Sequence, residues 1–391
     1  MRRVWVDAQR PRLIVGPSKA PAGGGAEPEG PFRCAVATMT KRPANFVTWL
    51  EWHSSHLQAV HFFLRVEDSP AHVNFLQHTP PWKDCCTVWA TNEEAQRDWI
   101  SQSDRQAQHV MRAIAAARKM GVTHLLAIDD DELLFLPNGL SSLVAAIHGA
   151  PNGSELCEFH ALTLEALAPS ITCANPFAEC CAFRHVAADY CSYGQGELSH
   201  GKSIGVLAHG ALAPLNPHHF RGASSSDHDP AATFLLRTLV LPPSVAVILH
   251  YESCSYRRWR DKFLGYASRM RQEGGRNEPG VRQAASFSKF YKQSVEACMH
   301  LLQAEATEKA TAGMATGPGQ RGPPATCRTP AEKHAQAVWM EAKLEPDTVT
   351  AARPIEYIRT LGRLTLIPPV ADAVAKTSAV ASAERTLEQV M

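Results

Sequence analysis

The stretch HLLAIDDDELLFLPNG, residues 124–139, sets four consecutive carboxylates, Asp129 to Glu132, between two apolar runs. The run before the cluster, THLLAI, reads as a buried strand, so the acids arrive at its carboxyl end. In an open α/β sheet that is where ligands bind. Adjacent carboxylates in a partly desolvated place repel, raise each other's pKa values and oppose folding unless a cation offsets them. Asp129 and Asp131 are two residues apart. On an extended backbone their side chains point the same way and can share one hard divalent cation, with Asp130 on the other face. Oxygen ligands of this kind select Mn²⁺ or Mg²⁺. A solvated turn or a helix-capping cluster is the competing reading of the same residues.

The chain around this stretch alternates strands and helices. CAVATM (34–39) and AVHFFLRVED (59–68) read as buried strands. Between them, PANFVTWLEWHSSHL has Pro43 placed for a first helical turn and Phe46, Trp49, Leu50, His53 and Leu57 at helical spacing. CTVWAT (86–91) predicts a third strand, and Ser103 with Gln106 a capping box for a helix whose face is Ala107, Val110, Met111 and Ile114, closed by Gly121. After the acidic cluster come a helical LSSLVAAIHG, an extended ELCEFHALTLEAL, an irregular region over 166–230, an apolar strand in SVAVILHYES and an amphipathic helix in SYRRWRDKFLGYASRM. The expectation is an α/β domain, a mixed and mostly parallel sheet flanked by helices, over residues 32–300. A disordered segment, 1–31, precedes it. Residues 301–391 read as a linker and a partly helical or disordered tail, expected to be dispensable for the core beyond about residue 312.

Composition narrows the function. With 39 basic against 38 acidic residues the chain is nearly neutral, so no nucleic-acid partner is expected. The 11 cysteines are odd in number and include no CxxC pair, which excludes a zinc ribbon and a thioredoxin motif. Cys173, Cys180, Cys181 and Cys191 cluster ahead of and around His185. A structural metal, a disulfide in a lumenal compartment and reduced cysteines packed as small apolar groups all fit, and the last is favoured. The N-terminus has no apolar run of signal-peptide or membrane-anchor length.

AIDDDELL resembles the D-x-D-E-F/L motif of metal-dependent glycosyltransferases of the GT-A fold, most closely family 92 and the related family-2-like proteins. WLEWH (49–53), VED (66–68), SQSDRQAQH (101–109), HGKSIGV (200–206), PHHF (217–220) and LHYES (249–253) followed by Trp and Lys are similar, in order, to further short motifs of that family. The resemblance spans roughly residues 33–270. It implies the GT-A (nucleotide-diphospho-sugar transferase) fold and inverting transfer of a sugar, with UDP-galactose the family-based guess, to a glycan or glycoconjugate hydroxyl. It also implies Mn²⁺ or Mg²⁺ held by Asp129 and Asp131, with His250 as a further metal ligand, and residence in the Golgi as part of glycan biosynthesis.

The same resemblance places Glu67 and Asp68 at the uracil or ribose and Thr38 and Arg42 near the nucleotide. An Asp-Ser turn before a helix fits Asp68 as well, and a helix-start role fits Thr38 and Arg42. Lys202 and Lys262 are candidates for neutralising the diphosphate, though a lone Lys is usually a solvated surface residue. An inverting reaction also needs a base for the acceptor proton. Glu165 is favoured, with Asp189, Asp227 and Asp229 as candidates by type. The alternatives are a metal-dependent hydrolase or phosphotransferase, for which no GxxxxGK[ST], HExxH or GxSxG companion motif is present, and a non-catalytic scaffold on the same fold.

Overall fold

The strand CAVATMTK is almost wholly buried from Cys34 to Thr40, and such a continuous apolar run belongs in the middle of a parallel sheet covered on both faces. A computed structural model of the protein bears this out. It describes residues 31–91, 100–150, 156–173, 175–180, 182–185, 201–208, 212–222, 238–272, 289–314, 329–343 and 364–366. Asp189, Asp227 and Asp229, the N-terminal thirty residues, and Cys181, Cys191 and Cys327 lie outside the described residues. The chain divides into two compact units, Met1–Leu164 with Gln195–His250 and Ala373–Met391, and Glu165–Gly194 with Tyr251–Asp372.

Strands run in the order β1 (Cys34–Lys41), β2 (His61–Glu67), β3 (Cys86–Thr91), β4 (His124–Ala127), β5 (Glu132–Phe135), β6 (Glu158–Leu167), β7 (Ala182–His185), β8 (Gly201–Val206), β9 (Ala213–Asn216), β10 (His219–Arg221), β11 (Thr238–Val240) and β12 (Val247–His250). Helices of the first unit are α1 (Phe46–His56), α2 (Pro70–His78), α3 (Trp82–Cys85), α4 (Ile100–Lys119) and α5 (Gly139–His148). The central sheet is mixed and mostly parallel. Its parallel part has the order β3-β2-β1-β4, and β8 then runs antiparallel to β4 and β6 antiparallel to β8. In α4, Val110, Ala113, Ile114 and Ala117 fall at i, i+3, i+4 and i+7 and pack on Ala35, Ala37, Phe63 and Leu125 of the sheet. Met111, expected on that face, is 46% exposed. The helix also begins at Ile100, so Ser103 is not its cap, and α1 begins at Phe46 rather than at Pro43.

Helix α1 has a second task. β5 pairs with β12 along one edge only, through Glu132 to Phe135 opposite His250 to Val247. The other edge is closed by side chains of WLEWH. Trp49 Nε1 donates to the carbonyl oxygens of Glu132 (2.9 Å) and Asp129 (3.1 Å), and Trp52 Nε1 donates to Leu134 O (2.8 Å). Leu134 N–H donates to His53 Nε2 (3.3 Å), whose Nδ1–H donates to Trp49 O (2.9 Å). Burial pushes the His53 pKa down to about 3, so the ring stays neutral and keeps the lone pair that this geometry requires. Side chains thus replace the hydrogen bonds of a missing strand and leave no bare edge.

In the second unit, the helices Tyr256–Gln272, Lys289–Met314 and Pro330–Lys343 pack together. Trp259 is fully buried and donates to Ser294 Oγ (2.9 Å), and Trp339 is fully buried and donates to Ser253 O (2.7 Å). The expected dispensability of the tail is corrected here, because truncation at residue 312 would remove Trp339 from a core. The expected irregularity of 166–230 is corrected too, since β7, β8, β9 and β10 fall inside it. Cys173 and Cys180 are free thiols with sulfurs 3.9 Å apart, as packed cysteines are. Among the described residues no helix is long and apolar enough to cross a membrane.

Two outcomes are expected. Trp339→Ala should destabilise the second unit by about 3–5 kcal/mol, seen as a lower urea midpoint, through the cavity it leaves. Acidification should weaken the first unit. Burial pushes His53 and His218 down to about 3 and His109 and His124 down to about 4. The unfolded chain takes up these protons near pH 6.5 and the folded chain does not, so stability is full above that pH and is lost as pH falls towards 4. Glu132, raised to about 7, opposes this with a single proton between roughly pH 7 and its unfolded value of 4.5. Urea melts at pH 7.5 and 5.0 measure the net effect, and equal midpoints would refute it.

Candidate functional site

The four carboxylates lie on a turn between β4 and β5, closed by Glu132 N–H donating to Asp129 O (3.2 Å). The backbone is not extended at 129–131, which corrects the premise that side-chain alternation pairs Asp129 with Asp131. Asp129 and Glu132 share Lys202, and Asp130 and Asp131 have partners elsewhere. Asp129 Oδ2 is 2.6 Å from Lys202 Nζ, and its Oδ1 accepts from Gln106 Nε2 (3.2 Å). Asp130 accepts from Thr40 Oγ1. Glu132 Oε2 accepts from the Asp129 N–H (3.0 Å) and lies 3.3 Å from Lys202 Nζ. Asp131 Oδ1 is 3.8 Å from Nε2 of His250 at the end of β12.

Lys202, on β8, is 1% exposed, and its ammonium also donates to Pro217 O (3.3 Å). It is therefore not a surface lysine. Burial alone would raise the Asp129 pKa, but the Lys202 charge prevails and holds it below the ordinary carboxylate value. For Glu132 burial prevails over Lys202. Lys202 itself is raised above its usual value because the pull of the two carboxylates exceeds its desolvation. His218 Nδ1–H donates to Gly201 O (2.9 Å), and its ring is kept neutral by burial and by the lysine beside it.

The carboxyl ends of β1 and β2 carry the other candidates. Arg42 and Asp68 both adopt positive φ, 50° and 51°, a conformation that costs energy for non-glycine residues and collects at functional sites. Arg42 Nη2 is 2.7 Å from Asp68 Oδ2, and Lys41 Nζ is 3.7 Å from the same oxygen. Thr38 is buried in β1. Glu67 is buried between Arg65 (2.8 Å) and Arg105 (2.9 Å), a structural ion-pair network. Lys262 pairs with Glu252, and Glu165 is buried on β6, all three in the second unit.

A shallow cleft is lined by Gln106, Ala127, Ser203, Asn216, His218 and His219 among others. Behind its wall, and reaching it through His219 alone, stands a group that the sequence reading did not single out. Glu158, fully buried, accepts from His219 Nδ1 (2.8 Å), Thr238 Oγ1 (2.7 Å) and Phe220 N–H (2.6 Å). Burial would raise its pKa, but these bonds win and keep it ionised. His160 Nδ1 is 2.9 Å from Ser203 Oγ, and its ring stacks on His219 with centroids 4.5 Å apart. Glu158, His160 and His219 each offer one ligand atom within 4.8 Å of the others, and among the described residues no other three His, Cys, Asp or Glu do so. The signal was E-F-H, residues 158–160, on an extended strand, where a spacing of two puts both side chains on one face.

No protein-family model matches the chain, and no curated protein matches it. The acidic turn is therefore judged on its own chemistry. Lys202→Met should cost about 3–5 kcal/mol, because it strands Asp129 and Glu132 without their counter-charge. Adding Glu132→Gln should return part of that loss. Denaturant melts of the single and double variants read this directly, and a single variant as stable as wild type would show that the turn is not held by Lys202.

Proposed function

We propose that this protein is a metal-dependent glycosyltransferase of the GT-A fold that moves a sugar from a nucleotide diphosphate sugar to a hydroxyl acceptor. One observation carries the reading: Asp131 and His250, from a turn and a separate strand, bring an oxygen and a nitrogen to 3.8 Å at the carboxyl side of the parallel strands. Both side chains are partly exposed, 32% and 19%, as ligands for an exchangeable ion must be. Mn²⁺ or Mg²⁺ bound there supplies Lewis-acid stabilisation of the diphosphate leaving group. The mixed, mostly parallel sheet with the acidic turn at the end of β4 is compatible with that fold.

The chain's own residues have distinct duties in this reading. Asp131 and His250 hold the ion, and Asp129 shares its charge with Lys202 on the flank of the site. Asp68 and Arg42, pinned to each other at the ends of β2 and β1, are placed for a nucleoside. Glu67, paired with Arg65 and Arg105, fixes the end of β2. UDP is the favoured nucleotide and galactose the favoured sugar, and Golgi glycan synthesis is the setting that the resemblance implies.

Calorimetry with Mn²⁺ and UDP tests the proposal. Wild type should bind UDP only with the metal, Asp131→Asn should lose that binding, and His250→Ala should weaken it less, since water can replace one neutral ligand. The apo stability of Asp131→Asn should change by under about 1 kcal/mol, because the pair it breaks is partly exposed. Metal-independent UDP binding, or none in wild type, would overturn the reading.

A further inference from the structure

Buried carboxylates in the first unit follow a pattern. Glu67 has two arginines, and Asp129 and Glu132 share a lysine. Glu158 is fully buried, yet among the described residues no Lys or Arg pairs with it, and the partner at ion-pair distance is a histidine, which carries charge only when protonated. A buried carboxylate without a fixed cation is costly unless its charge is compensated.

Two imidazoles face this carboxylate. We propose that Glu158, His160 and His219 bind one Zn²⁺ ion behind the part of the cleft wall that His219 forms, at a site separate from the acidic turn and independent of the transfer reading. Glu158 Oε1 and His219 Nδ1 stand 2.8 Å apart, and neighbouring ligands bound at about 2.0–2.2 Å in tetrahedral geometry stand about 3.4 Å apart, so a slight opening of this pair admits the ion in place of the shared proton. The third ligand lies within the 4.8 Å that spans the group, so small side-chain rotations complete the set. Ser203 holds the His160 ring from Nδ1, the kind of outer contact that orients a metal-binding imidazole.

Gly201 adds a backbone argument. At φ +145° a side chain there would be strained, and its Cβ would lie 2.5 Å from His160 Nε2, so the glycine keeps that flank of the ring clear. Two nitrogens and one oxygen favour Zn²⁺ over the Mg²⁺ and Mn²⁺ preferred by oxygen-rich sites. Three protein ligands leave a fourth position, and His219, 13% exposed and on the cleft, marks the side from which water or a ligand would reach it.

Equilibrium dialysis of the full chain against micromolar Zn²⁺, followed by elemental analysis, tests the site. Wild type and Asp131→Asn should each retain the ion, whereas His219→Ala and His160→Gln should bind it at least about 10-fold more weakly. Zinc held by cysteine thiols would be indifferent to these histidine changes. If the variants fail to fold by circular dichroism, Co²⁺ titration of Asp131→Asn, which lacks the other carboxylate–histidine pair, decides, because an ion held by histidine and carboxylate gives visible ligand-field bands without the thiolate charge-transfer band. Wild type that binds no Zn²⁺ together with Asp131→Asn that binds no Co²⁺ in this way, or folded variants that bind as tightly as wild type, would overturn the site and leave a hydrogen-bonded Glu–His pair. Loss of Mn²⁺-dependent UDP binding in wild type would count against transfer alone.

Discussion

The ammonium of Lys202 is the charge on which the acidic turn depends. Four adjacent acids at the end of a buried strand would drive one another apart, and two of them, Asp129 and Glu132, are held by one lysine with 1% exposure. Replacing such a buried group by an apolar one leaves its partners uncompensated, a larger loss than any surface pair could cause. The lysine reaches the turn from β8, which runs antiparallel to β4, so the sheet itself delivers the counter-charge. Strand order and electrostatics are the same fact here.

With Asp129 and Glu132 neutralised from within and Asp130 tied to Thr40, Asp131 is the acid directed to His250. The turn is thus divided into a part held by internal partners and a part that faces a separate strand. The second cluster shows the contrast. Around Glu158 hydrogen bonds are plentiful, and among the described residues no Lys or Arg pairs with it.

The α/β sheet was legible because its strands are apolar runs and α4 repeats small residues at helical spacing. Asp131 and His250 were legible as residue types, but their approach was not, since 119 positions of chain separate them (250 − 131). The burial of Lys202 was hidden because a lysine reads as a surface residue until the carboxylates 73 and 70 positions away are folded onto it. Regular alternation misled at 129–131, where a turn interrupts the strand, and would have succeeded at 158–160, where none does. Trp339 was passed over because the tail carries few large apolar residues at helical spacing, although a single large side chain at the right turn of a helix suffices to bury that face.

The closure of β5 by Trp49, Trp52 and His53 has a consequence for how the chain matures. Those side chains leave the ribosome first, and the strand they cover follows about 80 residues later. Until it arrives, two indoles and an imidazole on one helix face lack their partners and are available to any passing extended segment. Once it arrives, β5 is captured at a position set by the helix, because the donors match only alternate carbonyls. A helix laid down early thus acts as a template that fixes the register of a later strand and removes an adhesive edge in the same step.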